Sequence, residues 1–178
     1  MRIFLTGYMG SGKSTIGRKV AALLGINFID LDKYIEERNF KSVPAIFAQD
    51  GEEAFRLKER QALQEVSQFE EIVVGTGGGA PCFFDNMILM NNAGITIYLA
   101  PDNETLAFRL LKSKTERPLI AGKSREELQL FIQQALEKRS PFYEQSKIII
   151  RGKNDVQPEE VLRLIHEFAD SENRKKPK

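Results

Sequence analysis

Nine residues near the N-terminus, "GYMGSGKST" from Gly7 to Thr15, hold three glycines, one lysine and three Ser/Thr hydroxyls. The stretch fits G-x-x-x-x-G-K-[ST] at every fixed position, behind the strand-like "RIFLT" and ahead of a helical pattern. Glycines let backbone N–H groups turn inward around an anion, and the helix start adds partial positive charge. Gly10, Ser11, Gly12, Lys13, Ser14 and Thr15 are therefore the expected phosphate contacts. Lys13 would reach the β- and γ-phosphates of a nucleotide, and Ser14 would offer its hydroxyl to Mg²⁺. The alternative is a glycine turn capped by Ser14 before an ordinary helix. Tyr8 and Met9 read as exposed loop residues.

A phosphate cradle alone names no reaction. A GTPase would carry N-K-x-D, which this chain lacks, and 178 residues is short for a remodelling ATPase. The acceptor side must come from elsewhere. In "FIDLDKY", Asp30 and Asp32 share one face of an extended chain. One could hold a metal-bound water while the other accepts a hydroxyl proton; alternatively, Asp32 merely caps the next helix. In "VVGTGGGAPC" a strand runs into Gly77, Gly78 and Gly79, either a plain turn or a place where backbone approaches a ligand. Thr76 stands where an acidic magnesium partner often sits, and its hydroxyl could reach a metal only weakly, through water. Arg139 falls seven residues after Ile132 and eleven after Leu128, on their helix face. It either meets an anion or snorkels. Arg56 reads most simply as the partner of Glu52 or Glu59 on an exposed helix. Arg117 lies in the basic connector "KSKTERPLIAGKS", a solvated loop or a lid over phosphates.

The elements that must position these residues alternate. Strand-like runs fall at 2–6, 27–30, 71–76, 95–99 and 147–150, and helical patterns at 13–24, 52–69, 105–111, 124–139 and 158–168. Gly25 is a helix stop. This order predicts an α/β fold, a parallel five-stranded sheet with helices on both faces, and ligands at the carboxyl ends of its strands. Residues 1–170 read as one domain, and 171–178, "SENRKKPK", as a frayed polar tail. With 42% hydrophobic residues the chain can build a core, and 26 basic against 25 acidic residues leave no field that recruits nucleic acid or a membrane. Cys82 is the only cysteine, so no internal disulfide forms, which suits a cytoplasmic location. No leader is expected before the first strand, and no run approaches a membrane span. His166, the only histidine, is expected on a solvated helix face, so a histidine zinc site or a Ser-His-Asp triad is not expected.

Taken together, "GYMGSGKST", "DLDKYIE", "IFAQDGEEAFRLKE", "VVGTGGGAP", "ERPLI" and "KRSPFY" resemble the shikimate kinase family in order and spacing, from Met1 to about Phe168. The resemblance implies an adenylate-kinase-like fold of the P-loop kinase type, with a substrate-binding insertion at about 32–60 and a lid at about 112–123. It implies ATP-dependent phosphorylation of the shikimate 3-hydroxyl, with Mg²⁺, by a monomer that binds neither nucleic acid nor membrane. Asp32 would bind the acceptor hydroxyls and take the proton, and Asp30 would hold Mg²⁺ through water. Arg56 and Arg139 would clamp the carboxylate, with Gly78 and Gly79 against the ring, Glu59 orienting Arg56, and Phe47 and Phe55 as walls. Arg117 would meet the phosphates, and Arg109 resembles the arginine that stacks on adenine. "RGKNDVQ" takes the place of the adenine loop. The rivals are a gluconate or nucleoside monophosphate kinase of the same fold, and a nucleotide-binding regulatory protein without catalysis.

Overall fold

The computed structural model describes residues 1–113, 120–152 and 156–175. Five strands form one sheet in the order β2-β3-β1-β4-β5, every pairing parallel: β1 (Arg2–Thr6), β2 (Asn27–Asp30), β3 (Ile72–Gly75), β4 (Ile95–Pro101) and β5 (Ile148–Gly152). Strand alternation sorts the core onto two faces. Phe4, Ile72 and Val74 point to one face, where they pack with α2 (Leu31–Asn39), α3 (Val43–Val66) and α4 (Asn86–Ala93). Ile3, Leu5 and Val73 point to the other, against α1 (Lys13–Leu24) and α7 (Pro158–Lys175). A third cluster, containing Tyr8, Tyr98, Leu106, Leu110, Leu128, Ile132 and Tyr143, joins α5 (Asn103–Lys112) to α6 (Arg125–Tyr143).

The predicted sheet and its covering helices are present. Gly25 ends α1 in a left-handed conformation, and Ser124 opens α6 with a capping box to Glu127. Several boundaries differ. α3 begins at Val43, nine residues before the predicted start, because Ser42 caps it and Pro44 suits its first turn. It kinks at Gly51, whose φ of 81° and ψ of 174° no helical residue adopts. α6 continues through Pro141 to Tyr143. α7 runs to Lys175, so residues 171–175 are helical rather than a frayed tail. α2 and α4 are additional elements. In α2, Leu31 and Ile35 supply a buried i, i+4 pair. In α4, a short run without charged residues buries only Asn86, Met87 and Met90, leaving little periodic signal. His166 is exposed, as expected.

Candidate active site

The loop after β1, where the phosphate cradle is expected, is tightly fastened. Lys13 Nζ donates to the carbonyls of Gly7 (2.8 Å) and Tyr8 (3.0 Å) and to Ser11 Oγ (3.4 Å), lying across the loop it would open toward a phosphate. Arg109, far along the chain on α5, donates from Nη1 to Ser11 O (3.2 Å) and Gly10 O (3.3 Å). It thus sits at the nucleotide side of the site. Tyr8 departs from its predicted exposure: it is 1% exposed, drawn inward because its ring fills the core between α5 and α6. Met9 also packs against that cluster.

Asp30 closes β2 and Asp32 lies in the first turn of α2. The helix N-cap is Asp30, whose side chain makes no capping bond, so capping does not explain Asp32. Instead Asp30 Oδ2 accepts from Ser14 Oγ at 2.8 Å, joining β2 to the cradle. These two hard oxygens fit Mg²⁺, which keeps waters and phosphates as its remaining ligands rather than needing a protein cage. Among the described residues no cluster of three or more acidic, His or Cys side chains offers such a cage. Thr76 is buried and spends its hydroxyl proton on Leu5 O at 3.0 Å.

Asp32 faces a crowded space. Burial and the nearby Asp30 push its carboxyl up, against the pull of Lys13 and Arg56. Glu59, 1% exposed, is pushed up to about 7 by burial, although Arg56 opposes this with a 2.8 Å ion pair. Arg56 does pair with Glu52 (3.0 Å) and Glu59, but not on an exposed helix: its side chain is 11% exposed. Its guanidinium lies 4.0 Å from the Phe83 ring centre and 5.1 Å from that of Phe55, while Phe47 packs on Phe55 with ring centres 4.5 Å apart. Arg139 arrives from α6, over the Tyr8 ring at 5.6 Å, close enough for its charge to act on Glu59.

The glycine run threads between these groups. A Cβ on Gly77 would lie 2.8 Å from Asp32 Oδ1 and 2.9 Å from Glu59 Oε1. One on Gly79 would lie 2.7 Å from Arg56 Nη1 and 2.8 Å from Nη2. Gly78 packs against the cradle backbone, and its added Cβ would be 3.3 Å from Met9 N. Close approach, rather than a flexible turn, accounts for the three glycines. The structure thus brings Lys13, Asp32, Arg56, Glu59, Arg139 and Gly77–Gly79 together at the carboxyl ends of β1, β2 and β3. Arg117 lies outside the described residues, as do 114–119 of the connector and 153–155 of the loop after β5. Sequence reasoning missed Phe83, Gly77 as a contact of both carboxyls, and Tyr143; the last had a signal in its position one helical turn beyond Arg139.

The model of the family described as shikimate kinase matches residues 9–170. The chain belongs to the shikimate kinase family. A shikimate kinase of Parabacteroides distasonis is 56% identical over 147 residues, 83% of this chain and 85% of that one. The crystal structure of shikimate kinase from Bacteroides thetaiotaomicron superposes with a TM-score of 0.86 at 46% identity, covering 97% of this chain and 98% of the other. Shikimate kinase from Acinetobacter baumannii, solved in complex with shikimate, gives 0.80 at 32% identity over 98% and 95%. Family membership agrees with a two-sided site, a glycine-rich loop facing a carboxyl-and-arginine pocket. Among the described residues no helix is long and apolar enough to cross a membrane.

Proposed function

We propose that this chain transfers the γ-phosphoryl group of ATP to the 3-hydroxyl of shikimate, giving shikimate 3-phosphate and ADP. The observation that carries the reading is the convergence of Arg56 and Arg139, from different helices, on the pocket that holds Asp32. Two guanidiniums beside a raised carboxyl suit an acceptor that carries both a carboxylate and hydroxyls.

In this reading Asp32 orients the attacking hydroxyl and takes its proton. The new bond forms between that oxygen and the γ-phosphorus as the bond to the β–γ bridging oxygen breaks. The desolvation that raises Asp32 brings it nearer the basicity a neutral-pH proton acceptor needs. Lys13 leaves its loop carbonyls to neutralise charge on the transferring group, where fixed donors stabilise most. Gly10, Ser11, Gly12, Ser14 and Thr15 cradle the phosphates, and Arg109 contacts the nucleotide base. Arg56, held by Glu59, and Arg139 fix the acceptor carboxylate, and Gly78 and Gly79 lie against its ring. Mg²⁺, held by Ser14 and, through water, by Asp30 and more weakly Thr76, supplies charge neutralisation at the β- and γ-phosphates when bound. Arg117, within a lid at about 112–123, adds a phosphate contact, and residues of about 32–60 form the acceptor-binding insertion. The enzyme acts as a cytoplasmic monomer. A panel assay of ADP release with shikimate, gluconate and nucleoside monophosphates tests the assignment. Turnover with shikimate alone is expected, and equal turnover with gluconate overturns it.

A further inference from the structure

The glycine run has no side chains of its own, so neighbouring elements must hold it. Tyr143 Oη donates to Gly78 O at 2.5 Å, across 65 residues of sequence. Asn86 Nδ2, from α4, donates to Ala80 O at 2.9 Å, just past the run. Tyr143 is fully buried, its ring against Tyr98 with centres 5.1 Å apart. It also stands four residues after Arg139 on α6, on the same helix face one turn on. The Arg139 guanidinium and the Cys82 thiol both border the phenol, and burial pushes the phenol's pKa far up, so it stays a donor at all ordinary pH. Gly78, in turn, rests against the backbone of the cradle at Met9 and Gly7.

We propose that the Tyr143 hydroxyl is a positioning group for the acceptor: by tying α6 to the Gly78 carbonyl beside Arg139, it fixes both the arginine and the glycine backbone in carboxylate-binding register. This rests on the reading of Arg139 as a carboxylate contact. A buried phenol with a single proton can serve one acceptor at a time, and here that acceptor is the backbone of the pocket floor. The oxygen's lone pairs remain to receive the arginine next to it. Cutting this tie leaves the helix packed through the Tyr98 contact while freeing the angle at which Arg139 meets its ligand. A misplacement of that kind weakens binding without removing any group that touches the substrate.

The experiment compares wild type, Tyr143→Phe, Arg139→Ala and the double variant in steady-state kinetics. Tyr143→Phe keeps the ring and its stacking. It is expected to raise the KM for shikimate about tenfold while leaving the KM for ATP within about twofold, a shift on the order of 1.4 kcal/mol. In the Arg139→Ala background the same change is expected to add less than about twofold, because the hydroxyl acts through the arginine and such pairs are not additive. An unchanged KM for shikimate in Tyr143→Phe overturns the inference, as does a full tenfold effect without Arg139. If Arg139→Ala itself leaves the KM for shikimate unchanged, the carboxylate reading fails instead. Should Tyr143→Phe lower Tm markedly, binding of shikimate and of ATP is titrated separately at a temperature where the variant is fully folded. A loss of affinity confined to shikimate supports the tie, and an equal loss for both ligands, or none for shikimate, overturns it.

Discussion

The two halves of the site are built in opposite ways. The nucleotide half is almost local: one loop and the first turn of α1 supply the glycines, Lys13 and Ser14, and Lys13 bonds carbonyls five and six residues away. The proposed acceptor half is assembled from Asp32 on α2, Arg56 and Glu59 on α3, Gly77–Gly79 after β3, and Arg139 and Tyr143 on α6. A contiguous loop can be specified by a short pattern, because its geometry follows from backbone conformation alone. A pocket gathered from four elements depends on the packing of each, and on burial that shifts the carboxyls inside it. The nucleotide half should thus fail at single positions, and the acceptor half should respond to small displacements.

The largest effect is expected from Lys13→Met, which should lower kcat on the order of 10³-fold with circular dichroism unchanged, as loss of a fixed charge-stabilising donor does. Near-normal turnover would break the assignment of the local half. Asp32→Asn should cost about 10²-fold in kcat and leave ATP affinity intact; a loss of ATP affinity with kcat retained would move Asp32 to the nucleotide side. For Arg139→Lys, shikimate KM should rise nearly as far as for Arg139→Ala, because a lysine cannot match a carboxylate as a planar fork. Gly79→Ala sharpens the comparison further. Its φ of −90° suits alanine, so the only change is a methyl 2.7 Å from Arg56, and shikimate KM should rise about tenfold with ATP KM unaffected.

The smallest effect is a pH dependence. Glu59 holds its proton up to about 7 when folded but only to about 4.5 when unfolded. Between those values the native state binds more protons, so this group's contribution to stability is lost as pH rises through the window. Wild-type Tm without ligands should fall from pH 4.5 to about 7, and Glu59→Gln should flatten the decline. The lowered carboxyls of Glu65, Asp85 and Glu126 act below that range and do not offset it. A Glu59→Gln profile parallel to wild type would contradict the burial argument.

The same contrast governs what could be read in advance. The strands, α1 with its Gly25 stop and the glycine loop between β1 and α1 are written in runs of adjacent residues, and the sequence pattern located them. Arg56 was harder. Its partners Glu52 and Glu59 are i, i+4 and i, i+3 neighbours on any helix, and only tertiary packing shows that α3 turns Arg56 and Glu59 inward, with Arg56 against Phe83, while Glu52 stays exposed. Tyr8 failed in the reverse direction. A tyrosine inside a glycine loop resembles a solvated residue until α5 and α6 close around it. Tyr143 lies beyond Pro141, where helix propensity argues for an end, yet α6 continues because Tyr143 itself is buried.

The position of β1 has a consequence for synthesis. Of these five strands β1 leaves the ribosome first, yet it is the middle of the sheet, and its partners are Ile72–Gly75 and Ile95–Tyr98. At about 5–20 residues per second, β1 waits several seconds for its first neighbour and longer for its second. During that interval "RIFLT" is an apolar segment with both edges unpaired, which a chaperone or another nascent chain can engage. The loop after β1 is thus translated well before the sheet around it is complete: the strand on its second side, β4, begins only at Ile95, past the middle of the chain.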